Sequence, residues 1–381
     1  MPRLPEHQLV SRVSRGLIVK QEPFTDLSDS AIVIRMRAAG VCGTDLAMLG
    51  GCRPCRAEVL GHEGVGVVIS APKDSGLGNG TRVIVNPVHR EQPEIVIGHS
   101  RDGVFREIFW LNSADVVRGG LLVECPSECS VADADLALTE PLASVLYSLE
   151  LLKQTSCPTS LLIRGSGTIA ILAAKLWSVC GESNAVLVSK SEAHAQWLRE
   201  TILWPAKVKV CSLETIDGVA GVGQTAAFDA AILCCSREDA APGLRFLLDS
   251  VLDGGTIDLM AGFPADYTER RLGGTELDRI RWNNICGVES GPATTVVDQN
   301  TKRSLRLVGH RGTSERHILQ AVELLSRRII SLADIPHRQL TLQELPTAVS
   351  EMLSPNRCNT KWIKAIVDFP QESAGDANGR G

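Results

Sequence analysis

Two short stretches within residues 40–70 hold side chains able to bind a metal. The first reads G-V-C-G-T-D-L and carries Cys42 and Asp45; the second reads V-L-G-H-E-G-V-G-V-V-I-S and carries His62 and Glu63. A thiol and an imidazole together suit a borderline-soft cation such as Zn²⁺, and a catalytic zinc takes three protein ligands, its fourth position being left to water or substrate. A further candidate, Glu140 in L-T-E-P-L-A, stands far downstream. Such distance is normal for a catalytic ion, whereas a structural zinc draws four ligands from close pairs. Taken alone, Cys42 and His62 read as a buried small hydrophobe and a hydrogen-bonded core histidine.

A second chemistry lies in the middle of the chain. S-L-L-I-R at 160–164 is a short apolar strand, followed at once by Gly165-Ser-Gly167-Thr-Ile-Ala170 and a helical run over 171–180. In that position Gly165 permits the tight turn, Gly167 lets a pyrophosphate approach the backbone, and Ala170 allows close helix-to-strand packing. The helix start then offers unpaired N–H groups to the phosphates. Without a ligand the same pattern is an ordinary strand-to-helix turn. At the end of the next strand, where an NAD enzyme carries an acid for the ribose 2′-hydroxyl, stand Ser189 and Lys190. A hydroxyl and an ammonium suit a 2′-phosphate, which favours NADP(H) over NAD(H).

The elements that position these groups follow from local pattern. A β-branched strand at 31–37 delivers the chain into the Cys42 turn, and 65–69 and 81–85 read as further strands. Apolar runs at 185–189, 207–211, 230–235, 256–261 and 306–309 recur at strand–helix spacing and, with 160–164, make six strands. That is the number in a doubly wound dinucleotide sheet. Helical spacing covers 136–153, 192–203, 244–252 and 318–328. The polar, turn-rich region 282–303 reads as a long insertion before the last of those strands, and 371–381 as a frayed tail.

G-V-C-G-T-D, then G-H-E-G-V-G twenty residues later, then E-P-L-A, resembles the zinc-containing medium-chain dehydrogenases, especially the polyol and threonine dehydrogenase branch. The resemblance runs from about Ala31 to Asp368. It implies an α/β fold: a GroES-like β-barrel catalytic domain (1–144 and 309–381) and a doubly wound Rossmann coenzyme domain (145–308). It further implies Cys42, His62 and Glu140 as zinc ligands or near-ligands, Glu140 acting directly or through a water. Glu63 either exchanges onto the ion or stays beside it. Asp45 would hold the free nitrogen of His62 and fix its tautomer. Thr44 stands where relatives place the hydroxyl that takes the substrate proton. Many relatives continue that relay through a histidine; here the place is Ala47. Relatives also carry four closely spaced cysteines for a structural zinc, and 86–110 has none. One catalytic zinc and no structural zinc are expected, with His89, His99, His317 and His337 outside any ligand set. The resemblance also implies a closing helix from near Leu342 and assembly as a homodimer or homotetramer.

Length and charge bound the remaining possibilities. A chain of 381 residues fits two domains. A net charge of −5, from 39 basic and 44 acidic residues without a dense basic run, argues against nucleic acid and anionic membranes as partners. No apolar run approaches the ~18 to 20 residues of a membrane span, and the N-terminus lacks a signal-peptide core. Twelve scattered cysteines therefore read as reduced thiols in a cytoplasmic protein, and the Cys52-Arg-Pro-Cys55 pair as loop cysteines without a shared role.

Three functions compete. A zinc-dependent oxidoreductase acting between a nicotinamide cofactor and a secondary alcohol or ketone of a polar molecule (sugar, cyclitol, polyol or amino alcohol) uses every motif. A metal-independent NADPH reductase leaves Cys42, His62 and Glu140 incidental. A non-catalytic nucleotide-binding protein is compatible with the fold alone.

Overall fold

Apolar alternation in the first third of the chain folds into antiparallel strands. In this computed structural model, which describes residues 6–14, 16–23, 27–155, 157–179, 184–216, 227–264, 267–288, 291, 293–354 and 361–369, β1 (His7–Val13) and β2 (Gly16–Glu22) form a hairpin. β3 (Ala31–Gly40) leads into α1 (Gly43–Leu49) and then β4 (Glu63–Ser70). β5 (Arg82–Val85), β6 (Ile108–Asn112), α2 (Ser113–Gly119) and β7 (Leu122–Glu124) follow. β3 pairs antiparallel with β4, and the register sets Gly40 opposite Glu63. This pairing brings the turn after β3, with Cys42, beside the turn before β4, with His62.

α3 (Asp133–Leu136) and α4 (Thr139–Thr155) connect to the second sheet. The single helix expected over 136–153 is therefore two, split at 137–138, where the Leu138 N–H closes onto Asp135 O instead of continuing the helical ladder. Thr139-Glu140-Pro141 then opens α4, and a proline in the first turn costs no hydrogen bond.

The second sheet is built from β8 (Ser160–Arg164), α5 (Thr168–Val179), β9 (Asn184–Ser189), α6 (Glu192–Thr201), β10 (Val208–Ser212), β11 (Phe228–Leu233), α7 (Ala240–Ser250) and β12 (Val251–Leu259). A small hairpin, β13 (Thr268–Glu269) and β14 (Thr275–Glu276), precedes α8 (Leu277–Trp282), β15 (Thr294–Val297) and β16 (Ser304–Val308). The strand order is β10-β9-β8-β11-β12-β16-β15. The first six are parallel, in the 3-2-1-4-5-6 order of a doubly wound dinucleotide sheet. β15 corrects the reading of 282–303 as plain insertion. Its T-T-V-V segment adds an antiparallel edge strand to β16, a pairing hidden in sequence by the polar residues on either side.

α9 (Glu315–Ser326) carries the chain back, and β17 (His337–Leu340), α10 (Leu345–Leu353) and β18 (Lys364–Asp368) close the first sheet in the order β17-β18-β3-β4-β5-β7, with β6 on β3. Ile366 lies opposite Gly40, which brings Lys364 to the same corner as Glu63. Tyr147 of α4, fully buried, stacks on His317 of α9 (ring centroids 4.5 Å apart) and tilts against His310 at 4.6 Å. Burying an aromatic side chain contributes roughly 1.5–3 kcal/mol. The tail 371–381 and Cys180 lie outside the described residues.

Candidate metal and nucleotide site

The corner where β3, β4 and β18 meet holds the first site. Cys42 Sγ, a His62 ring nitrogen and a Glu63 carboxylate oxygen all lie within 4.8 Å of one another. Zinc bond lengths of about 2.0 to 2.3 Å put tetrahedral ligand atoms roughly 3.5 Å apart. Small side-chain shifts therefore suffice to close the three on one ion, and thiolate, imidazole and carboxylate are the donors zinc takes.

Asp45 ties the two turns together. Its Oδ2 accepts the Cys42 N–H at 2.9 Å, its Oδ1 accepts the Gly61 N–H at 3.2 Å, and Oδ1 stands 3.5 Å from His62 Nδ1. Asp45 and His62 are buried and Cys42 is half-buried. Burial opposes a charged His62, but the negative groups of Asp45 and Cys42 outweigh it and hold the ring well above the usual imidazole range. The same pull that stabilises a proton on that ring stabilises a cation beside it.

Glu63 has a partner that no local motif announces. Lys364 of β18 forms a fully buried ion pair with its Oε2 and donates to Val41 O at 3.1 Å. A Cβ at Gly40 would fall within 3.0 Å of both partners, so this glycine leaves the space in which they meet. Glu140, in the first turn of α4, is outside the Cys42–His62–Glu63 group. Burial lifts its carboxyl to about 7; Glu63 adds to the rise, while His62, Lys364 and the Ser144 hydroxyl at 3.4 Å oppose it. It faces the site electrostatically from the opposite sheet's connecting helix.

Thr44 is half-buried in the first turn of α1, and Ala47 lies on the next turn. His99 was not legible as a neighbour of the metal group, because nothing in its spacing links it to His62. Its ring stands edge-on to His62 at 5.0 Å, and its buried Nε2 has no hydrogen-bond partner among the described residues. Burial, then His62, Arg53 and Arg311, push its pKa down to about 2, so it is neutral. His89 is buried and accepts the Glu91 and Gln92 N–H groups through Nδ1. Cys52 and Cys55 are free; Cys52 donates to Glu238 Oε1 at 3.2 Å, and Cys55 to His99 O at 3.5 Å.

The second site is the β8–α5 turn. Gly165 has φ +154°, and a Cβ there would meet Cys234 O at 2.5 Å, so only glycine fits beneath β11. A Cβ at Gly167 would meet no atom within 4 Å, which leaves room for a phosphate against the backbone at the start of α5. Ala170 is fully buried. Ser189 is buried at the end of β9; Lys190 beside it is 71% exposed and pairs with Asp239 at 2.8 Å. An exposed pair of this kind is worth about 0–1 kcal/mol, so a 2′-phosphate can compete for the ammonium.

Comparison with known proteins agrees with this architecture. Residues 28–120 match the alcohol dehydrogenase GroES-like domain. The chain is 23% identical to L-threonine 3-dehydrogenase of Escherichia coli K12 over 277 residues, 68% of this chain and 77% of that one. A protein of Sinorhizobium meliloti 1021 assigned as a zinc-binding dehydrogenase, bound to NADP, superposes with a TM-score of 0.71 at 20% identity, covering 96% of this chain and all of that one. Acetophenone reductase of Geotrichum candidum, in complex with NAD, gives 0.69 at 14% identity, with 97% and 98% covered. Fold and matched sequence point to one class, the alcohol dehydrogenase type of oxidoreductase. Residues 28–120 carry the GroES-like domain of that class, and the chain as a whole shares the fold of these dehydrogenases.

Proposed function

We propose that the chain is a zinc-dependent oxidoreductase that moves hydride between NADP(H), in preference to NAD(H), and a secondary alcohol or ketone of a polar substrate. The observation that carries this reading is the convergence of Cys42, His62 and Glu63 in one corner, in a chain that also carries a Gly-rich strand-to-helix turn at β8–α5. When bound, zinc supplies a Lewis acid for the alcohol oxygen, and the nicotinamide supplies or takes up the hydride.

The chain's own groups do the rest. Cys42, His62 and Glu63 hold the ion, with Glu140 facing it directly or through water. Asp45 orients the His62 ring. Thr44 accepts the substrate proton, and because Ala47 cannot pass it on, the proton leaves through water. Gly165, Gly167 and Ala170 seat the pyrophosphate, and Ser189 and Lys190 receive the 2′-phosphate. The same proposal divides the chain into a catalytic part (1–144 and 309–381) and a coenzyme part (145–308), assembled as a homodimer or homotetramer in the cytoplasm.

One observation favours a second reading, a metal-free NADPH reductase: Lys364 already neutralises Glu63 without a metal. Chelation separates the two. Turnover of polyols and ketones, followed at the reduced-nicotinamide absorbance, is expected to vanish on zinc removal and return on zinc addition; turnover that survives removal supports the second reading. A kcat/KM favouring NAD, or one whose cofactor ratio ignores Lys190→Ala, contradicts the NADP assignment.

A further inference from the structure

Four arginines collect beside the metal corner, at the C-terminal ends of the parallel strands. Arg53 lies on the loop after α1, Arg237 on the loop after β11, Arg281 in α8, and Arg311 after β16. All four are half-buried. A Cβ at Gly262, just past β12, would lie 3.5 Å from Arg281 Nη1 and 3.8 Å from Arg237 Nη1, so the two guanidiniums flank that glycine. Arg281 is braced by Nε donating to His310 O at 3.4 Å, and Arg311 by Nε donating to Pro93 O at 2.9 Å with its guanidinium 4.5 Å over the Trp282 ring.

Among the described residues none of the four has a carboxylate at ion-pair distance; burial, then Arg281 and Arg237, lower Arg53, while Cys42 and Asp278 oppose them. Burial and then Arg311 lower Arg281, against Asp278 and Asp258, and burial and then Arg53 lower Arg311, against Cys286, Glu94 and Asp278, none of these carboxylates being at ion-pair distance. Asp278 is exposed, so water screens it. Half-buried cations that repel one another are costly unless an anion joins them.

The position indicates which anion. In the doubly wound order the adenosine half of a dinucleotide is held at β9 and its pyrophosphate at the β8–α5 turn. The arginines stand over β11, β12 and β16, the half of the sheet that takes the nicotinamide mononucleotide. That half brings no phosphate beyond the pyrophosphate at the β8–α5 turn, and Arg53 reaches in from the Cys42 side, so a further anion is needed to join them. A surplus of several positive charges suits a dianion better than a monoanion, and guanidinium forks match phosphate oxygens. We infer that Arg53, Arg237, Arg281 and Arg311 form a phosphomonoester-binding subsite beside the Cys42–His62 corner, and that the substrate is a phosphorylated alcohol or ketone. The substrate clause rests on the oxidoreductase reading; the subsite does not.

Calorimetric titration of the zinc-loaded protein, saturated with NADP⁺, tests it. Inorganic phosphate is titrated first, then glycerol 3-phosphate, glycerate and glycerol as a matched set. Saturable phosphate binding is expected, with glycerol 3-phosphate about tenfold or more tighter than glycerate or glycerol. In Arg53→Gln/Arg237→Gln, and in Arg237→Gln alone should the double variant fail to fold, phosphate binding is expected to weaken about tenfold or more while the NADP⁺ Kd stays. No phosphate binding to the nucleotide-saturated protein overturns the inference, as does glycerate binding as tightly as glycerol 3-phosphate. An NADP⁺ Kd that weakens by the same factor as phosphate binding overturns it too, since the arginines then serve the dinucleotide. Phosphate bound at this site without turnover of any alcohol contradicts the oxidoreductase reading and leaves the subsite standing.

Discussion

Asp45 is the residue on which the metal corner turns, since one carboxylate fixes the Cys42 backbone, the Gly61 backbone and the His62 ring together. Asn in its place keeps the shape but has one acceptor oxygen, so one buried N–H loses its partner, at about 1–3 kcal/mol. Asp45→Asn should weaken zinc about 10- to 100-fold in competition with a chromogenic chelator; unchanged affinity would remove Asp45 from the account. The Glu63–Lys364 pair gives a second test. Lys364→Met leaves a buried carboxylate uncompensated, a loss of roughly 3–5 kcal/mol. If Glu63 reaches the ion, added zinc should raise the Tm of this variant by more than it raises the wild type; equal shifts mean that Glu63 stays off the metal. Asp258 is a third. Burial lifts its carboxyl to about 7, only partly offset by the Ser148 hydroxyl and Arg281. Between about 4 and 7 the folded chain therefore keeps a proton that the unfolded chain has released. That contribution is present at acid pH and lost as pH rises toward 7. The Tm advantage of Asp258→Asn over the wild type should grow across that window, and a pH-independent difference would contradict the shift.

At the scale of elements, glycines at the strand ends decide whether the pieces meet. Gly165→Ala would drive a methyl into Cys234 O. It should cost roughly 1–3 kcal/mol by thermal unfolding and weaken nucleotide binding, whereas full retention of both would show that the turn is not the cofactor seat. The strands of the nucleotide sheet were legible because each is a short apolar run between turn residues, a signal carried within a few neighbours. β15 was not, because its pairing to β16 is a tertiary choice made by a weakly apolar segment. The break before α4 was hidden by continuous apolar spacing across 136–153, which reports a buried face but not the turn inside it. Cys42, His62 and Glu63 could be read from type and spacing. Lys364 and His99 could not: Lys364 lies 301 positions from Glu63 and reaches it only through the β18–β3 register.

In the molecule as a whole, loops of the first third meet the segments that follow β11 and β16: Asn86 Nδ2 donates to Thr313 O at 3.0 Å, Arg311 Nε to Pro93 O at 2.9 Å and Cys52 Sγ to Glu238 Oε1 at 3.2 Å. The central claim is that Cys42 and His62 share one ion and that catalysis depends on it. The most direct measurement is zinc content beside turnover and nucleotide affinity, in the wild type and in Cys42→Ala and His62→Ala. Expected are about one zinc per chain in the wild type, loss of both zinc and turnover in each variant, and an NADP⁺ Kd that does not move. Variants that lose the metal yet reduce ketones at the wild-type rate would contradict it.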